Sequence, residues 1–181
     1  NTGSLKHTIS YYASQYMLSM AMTMLNNRLN ELRQTANPPF TNASAGYGEF
    51  FLAKTKEAFS LDARSKVDGI DLAMKTVLEE AERARRFGFT ATEYERARAN
   101  YMQGVESAYN EREKMKNDTY VNEYISNFLD NEPMPGIEYE YAMMNQLAPN
   151  IPVAAINQVM QQLITDNNQV VLLAGPEKEG V

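Results

Sequence analysis

The longest helical pattern in this chain runs from about Ile9 to Gln34, and it constrains the fold more than any other segment. Its apolar residues form two stripes at helical spacing: Ile9, Tyr12, Tyr16, Met20 and Met24 in one, and Leu18, Met22, Leu25, Leu29 and Leu32 in the other. A helix wetted on one side needs one stripe, so two stripes predict a helix buried between a sheet and other helices. Pro38 and Pro39 remove two backbone donors and disfavour helical residues before them, so the helix must end by Asn37.

Two strands are predicted after the double proline, at Thr41 to Phe51 and at Ala58 to Arg64, where apolar and polar residues alternate. The connection Ala53-Lys54-Thr55-Lys56 is short enough for an antiparallel hairpin. Gly46 and Gly48 indicate a bulge or a close backbone approach in the first strand.

From Val67 the apolar period becomes helical, and the opposite face is charged. Glu79 with Arg83 and Glu82 with Arg86 stand in the favourable i, i+4 order, which is typical of a solvated helix face. Carboxylates on such a face, Glu80 included, have nothing nearby to raise a pKa, so no acid–base pair is predicted there.

Further helices follow in quick succession. Gly88 is a predicted C-terminal cap, and Thr90-Ala91-Thr92-Glu93 matches a capping box that starts a helix running to about Lys116. The remaining helical segments are a stripe from Val121 to Leu129, a short helix from about Ile137 to Leu147, and a stripe from Val153 to Leu163.

The chain closes on a nearly continuous apolar run from Gln169 to Ala174, which is typical of a strand buried on both faces. The order is helix, hairpin, about four helices, then strand. This order predicts an α+β fold with helices on a small, mainly antiparallel sheet. Three strands are few for so many helices, so a further strand is expected upstream or from another domain.

Composition excludes several classes of function. The chain has 181 residues, a net charge of −6 and no long run of like charge, so it lacks the basic surface that nucleic acid requires. It has no Cys and one histidine, His7, so neither a thiolate zinc site nor a two-histidine zinc helix can form. No Gly-x-Ser-x-Gly elbow, Walker loop or apolar run long enough for a membrane span is present.

A family resemblance supplies what the search for chemistry does not. The segment Leu25-Asn26-Asn27-Arg28-Leu29-Asn30-Glu31-Leu32-Arg33 followed by Phe40 resembles a leucine, glutamate, leucine, arginine and aromatic pattern of insulinase/pitrilysin-type zinc metallopeptidases. The stretch Phe87 to Ala97, the segment Pro135-Gly136-Ile137-Glu138-Tyr139-Glu140, and the run Gln169 to Gly175 are also similar to that family, the last two to the second domain of its bacterial, periplasmic branch.

The resemblance implies a non-catalytic repeat domain of a multi-domain protease whose zinc is held by a preceding domain. No zinc ligands or other cofactor are expected in this segment. The implied partners are that preceding catalytic domain, the following repeat domains and a peptide substrate, and the implied location is the bacterial periplasm or cell envelope.

Arg33 and Phe40 match an arginine and a tyrosine with which the family's C-terminal half binds substrate across the chamber. Phe40 has no hydroxyl, so it cannot stabilise an oxyanion as a tyrosine would. Arg33 either contacts substrate or caps its own helix, and the helix dipole favours the second role.

Residues 9–175 are therefore predicted to form one non-catalytic domain, with residues 1–8 as a tag or linker and residues 176–181 as an exit linker. We expect it to form part of the wall of a proteolytic chamber and to support peptide binding, for example at an exposed strand edge. The alternatives are a stand-alone helical interaction module without enzymatic activity and a self-sufficient hydrolase that uses buried carboxylates.

Overall fold

A computed structural model of the chain describes residues 6–50, 53–114 and 117–175. These residues form six α-helices and two strands in the order α1 (Ile9–Arg33), β1 (Asn42–Phe50), β2 (Ala53–Arg64), α2 (Ile70–Phe87), α3 (Ala91–Glu111), α4 (Asn117–Asp130), α5 (Ile137–Leu147) and α6 (Val153–Leu163). The predicted α+β class is confirmed as a mostly helical chain with one two-stranded antiparallel sheet. The chain divides into two compact units, one made of Asn1–Met20 with Ala91–Val153 and the other of Ala21–Thr90 with Ala154–Val181.

The first unit is built on the start of α1 together with α3, α4 and α5. The Thr8 hydroxyl oxygen accepts a hydrogen bond from the Tyr11 amide at 3.2 Å, which helps to start α1. In the core, the hydroxyls of Tyr16 and Tyr94 lie 3.1 Å apart, and the Tyr94 hydroxyl donates to the Ile151 carbonyl at 2.9 Å. Tyr16 therefore donates to Tyr94, and burial raises the pKa of Tyr16. The polar ends of both rings are thus satisfied inside an apolar core.

The second unit holds the rest of α1, the hairpin, α2 and most of α6. Ala21, Met24, Leu25 and Leu29 of α1 are buried in it, as are Ala43 and Ala45 of β1. Small residues on the strand let a helix approach closely, which explains why alanine stands at both positions.

The hairpin is longer than predicted. β1 pairs with β2 from Asn42 opposite Arg64 to Glu49 opposite Glu57, and the register then shifts at Phe50. The predicted connection Ala53 to Lys56 lies inside β2, so that prediction is wrong. Its alternating lysines resemble a polar loop, but an edge strand also tolerates charged residues. Residues 51–52 lie outside the described residues.

The predicted end of α2 is confirmed. Gly88 has φ of 70° and its amide donates to the Ala84 carbonyl at 2.9 Å, which is a left-handed C-terminal cap. The ion pairs differ in part from the prediction: Glu82 does pair with Arg86, whereas Arg83 pairs with the buried Glu80 at 3.5 Å. The predicted Glu79–Arg83 pair is not formed among the described residues, where Glu79 instead lies 3.7 Å from Lys75.

The predicted closing strand is wrong for this chain. Residues 169–175 have no regular secondary structure, and Val170 and Leu172 are 87% and 86% exposed. A strand requires a partner that accepts and donates its backbone hydrogen bonds, and no described strand pairs with this run.

The domain limits stay a prediction. Residues 1–5 and 176–181, which make up most of the predicted linkers, lie outside the described residues. None of the described helices is long and apolar enough to cross a membrane.

Candidate functional site

The outer edge of β1 is closed by a side chain from α1. Asn26 Nδ2 donates to the Ala45 carbonyl at 2.9 Å, and Asn26 Oδ1 accepts from the Ala45 amide at 2.8 Å. The side-chain amide therefore satisfies both backbone groups of Ala45, in the way that a neighbouring strand would. A further strand cannot pair with Ala45 unless Asn26 moves away.

The same two bonds fix which backbone groups of β2 face outward. Opposite residues in an antiparallel ladder alternate between pairs that exchange hydrogen bonds and pairs that do not. Ala45 bonds to Asn26, so Ala45 and Leu61 form a pair without mutual bonds. By alternation, the amides and carbonyls of Glu57, Phe59, Leu61 and Ala63 all point away from β1. Within the described ranges no third strand pairs with them.

The side chains along β2 are polar toward solvent. Lys56, Glu57, Asp62 and Arg64 are exposed, and charges on an edge strand discourage uncontrolled pairing with other chains. The Tyr47 hydroxyl donates to Glu57 Oε2 at 2.8 Å across the hairpin. Burial, followed by this hydrogen bond, raises the pKa of Tyr47 to about 12, so the tyrosine stays neutral and keeps donating.

Arg33 and Phe40, the two residues predicted to touch substrate, have different environments. Arg33 is the last residue of α1 and is exposed. Phe40 is 2% exposed and belongs to the core, immediately before the hairpin. The next residue, Thr41, ties the hairpin base together, because its amide and hydroxyl donate to the Arg64 carbonyl at 2.7 and 2.8 Å. Of the two, Arg33 has the side chain that a ligand can reach.

Sequence reasoning missed a buried ion pair in the second unit. Arg28 Nη1 lies 3.3 Å from Oε1 of Glu80, and Glu80 is 5% exposed. Arg28 Nη2 also donates to the Gly88 carbonyl at 2.9 Å, and its guanidinium lies 4.8 Å from the centre of the Phe89 ring. These contacts join α1 to the corner between α2 and α3, and they give Glu80 a structural role rather than a catalytic one.

Sequence reasoning also missed the exposure of α4. Five of its apolar residues are 49 to 87% exposed and line a shallow groove of about 350 Å³: Val121, Tyr124, Ile125, Phe128 and Leu129. An exposed contiguous apolar patch of this kind marks an interaction surface. Helical spacing gave the correct face of α4 but could not reveal that nothing in the described part of the chain covers it.

Comparison with known proteins finds similarity to proteases. No protein-family model matches the chain. It is 27% identical over 170 residues to a zinc protease PQQL-like protein of Arabidopsis thaliana. Its structure matches the periplasmic protease PqqL of Escherichia coli with a TM-score of 0.75 at 19% identity over 86% of the chain, and a predicted insulinase family protease of Yersinia pestis with a TM-score of 0.71 at 11% identity over 85%. The chain thus shares the fold of these proteases and is similar in sequence to a zinc protease PQQL-like protein.

The chain is much shorter than the proteins that it matches. The match covers 94% of the chain but 15% of the Arabidopsis protein, 17% of the E. coli protein and 33% of the separately solved first half of the E. coli protein. The matched region is therefore a small part of each of these proteases.

The side chains of the described residues do not offer a set of ligands that fits zinc. Among the described residues, no three histidine, cysteine, aspartate or glutamate side chains lie close enough together to hold a metal ion. The single histidine, His7, is exposed near the start of α1. No step of metal chemistry is therefore assigned to the side chains of this domain.

Proposed function

We propose that this chain is a non-catalytic domain of a multi-domain zinc metalloprotease, where it forms part of the wall of the proteolytic chamber and supports the binding of peptide substrate. Two observations support the proposal. The domain is a small part of relatives that are proteases, and it offers an outward-facing strand edge. Zinc would be held by a separate catalytic domain of the parent chain, and the other repeat domains would be its neighbours.

The free edge of β2 carries the peptide-binding part of the proposal. A peptide lying antiparallel or parallel to β2 would bond to the amides and carbonyls of alternate residues, namely Phe59, Leu61 and Ala63. Such bonds use the peptide backbone alone, so they tolerate many substrate sequences. Asn26 directs binding to this edge, because it already occupies the centre of the β1 edge.

A peptide-binding measurement tests this assignment. Leu61→Pro removes one outward amide and places a ring on the edge, whereas Leu61→Ala shortens the same side chain and keeps the amide. We expect the proline variant to bind a labelled ten-residue extended peptide at least about tenfold more weakly by fluorescence anisotropy, which is the loss of roughly 1.4 kcal/mol. The alanine variant should stay within about threefold of the original chain, a difference below 1 kcal/mol.

Circular dichroism and a thermal melt of each variant establish that the hairpin is intact before affinities are compared. Equal affinity of a folded proline variant, or no binding by the unaltered chain, would remove peptide support from the proposal.

Substitution of Arg33 provides a second, independent test of substrate contact. If its cation only complements the α1 dipole, Arg33→Gln should lower the free energy of unfolding by about 0.3–1 kcal/mol and leave peptide affinity unchanged. If Arg33 binds substrate, the same variant should weaken binding of a peptide with an acidic residue more than binding of its neutral amide counterpart. Lys66→Gln, at an exposed cation after β2, is the matched control.

Periplasmic location belongs to the proposal as well. It is supported by the match to a solved protease that is described as periplasmic. Fractionation of bacterial cells that express the parent protease, with activity measured in the osmotic-shock fluid, tests it.

A further inference from the structure

The exposed face of α4 is large for a surface that has no role. Fractional exposures of 49 to 87% on five large side chains correspond to roughly 600 Å² of apolar surface, the upper end of the largest patch on an ordinary monomer. The most exposed of the five is Phe128, at 87%. Leaving this face in water would favour aggregation, so its retention calls for a partner.

The end of α4 is held firmly while the face stays open. The Asn131 amide donates to the Asn127 carbonyl at 3.0 Å, and Asn127 Nδ2 donates to the Glu132 carbonyl at 2.6 Å. The Tyr11 hydroxyl donates to Glu132 Oε2 at 2.8 Å, and Lys6 pairs with the same carboxylate. These contacts attach the residues after α4 to the start of α1, so the helix presents its apolar face in a defined orientation within the first unit.

We infer that this face docks onto an apolar surface of a neighbouring domain of the same parent chain, an inference that rests on the proposed function. The chain accounts for 33% of the separately solved first half of the E. coli protease, so most of such a half lies outside the matched domain and can supply the partner. Phe128 and Leu129 would be the central contacts, with Val121 at the edge.

The size of the face favours a tethered neighbour over a second copy. A symmetric dimer through α4 alone would bury roughly 1,200 Å², the lower limit for stable complexes of separate proteins. Interfaces between domains of one chain are commonly about 600–1,500 Å². Tethering raises the effective concentration of the partner to about millimolar, so a modest area is enough.

Cysteine labelling tests the inference directly in a parent protease whose own cysteines, where present, are replaced by serine; this chain contributes none. Phe128→Cys and the control Phe87→Cys, at a phenylalanine of α2 that is 81% exposed, are placed in the parent protease. We expect maleimide to label Cys at position 128 at least about tenfold more slowly in the native parent than in urea, whereas in this 181-residue chain the two positions should label at similar rates.

Labelling of the native parent at position 128 within about twofold of the unfolded rate would overturn the inference, because the face would then be uncovered. Protection that grows with protein concentration would also overturn it, in favour of a second copy. If the cysteine variant does not fold, hydrogen exchange of the unaltered parent replaces it, and α4 amides that exchange as fast in the parent as in this chain contradict docking. Neither readout depends on peptide binding at β2, so the two proposals can fail separately.

Discussion

Arg28 holds Glu80 inside the second unit: Arg28 Nη1 lies 3.3 Å from Glu80 Oε1, and the two side chains are 16% and 6% exposed. Removal of one partner of a buried ion pair leaves the other charge with fewer compensating contacts, which typically costs about 3–5 kcal/mol. We expect Glu80→Leu to lower the free energy of unfolding by about 3 kcal/mol in urea denaturation. The exposed neighbour Glu79 provides the control, since Glu79→Leu should change the free energy of unfolding by about 0.5 kcal/mol or less. Similar losses at both positions would contradict the role of the pair.

The two hydrogen bonds between Asn26 and Ala45 predict a second loss of unfolding free energy. Asn26→Asp turns the donor that faces the Ala45 carbonyl into an acceptor, so that one hydrogen bond is replaced by repulsion. The expected decrease is about 1–3 kcal/mol in the same measurement. Asn27→Asp, one position along on the exposed face of α1, should have little effect.

Two glycines predict stability changes of opposite sign. At Gly88 φ is +70° and a Cβ would lie 2.4 Å from Cγ of Asn157, so Gly88→Ala should destabilise by about 1–3 kcal/mol. Gly104 lies inside α3 with nothing within 4 Å of a Cβ, so Gly104→Ala should stabilise by about 0.5–1 kcal/mol. Thermal melts of both variants check the pair, and a shift in the same direction for both would contradict the structure.

Glu82 predicts a loss of stability in acid. Hydrogen bonds from Arg85 and then Arg86 lower the pKa of Glu82 from 4.5 to about 2. Because the pKa of the folded state lies below that of the unfolded state, this contribution is complete above the unfolded pKa and is lost as pH falls from 4.5 toward 2. Glu82→Gln should therefore flatten the curve of unfolding free energy against pH in that window. Parallel curves for the two proteins would argue against the pKa shift.

Local signals in the sequence predicted the helices well. Gly88 ends α2 as predicted, α3 begins at Ala91 directly after the predicted cap Thr90, and α5 has both of its predicted ends, Ile137 and Leu147. Such signals act within a turn or two of the chain, so they can be read without knowledge of the tertiary fold.

Features that depend on distant partners could not be predicted in this way. Arg28 and Glu80 are 52 positions apart, and Glu80 therefore looked like one more charge on a solvated helix. The run Gln169 to Ala174 has the composition of a buried strand, but composition does not supply a strand to pair with. The stripe of α4 likewise identified a face without showing whether that face is covered.

The candidate site was predictable in kind but not in detail. A free strand edge was expected, yet its identity follows from Asn26, whose role only the register of the hairpin reveals. Substrate contact by Arg33 and Phe40 stays a prediction, and the burial of Phe40 leaves Arg33 as the residue to test.

One side chain of α1 thus makes the small sheet asymmetric. A strand that pairs with β1 must first break both hydrogen bonds between Asn26 and Ala45. A strand that pairs with β2 would bond to outward backbone groups that pair with no described strand. An additional strand is therefore expected to pair with β2 and not with β1. The sequence of α1, more than that of the hairpin, determines this preference.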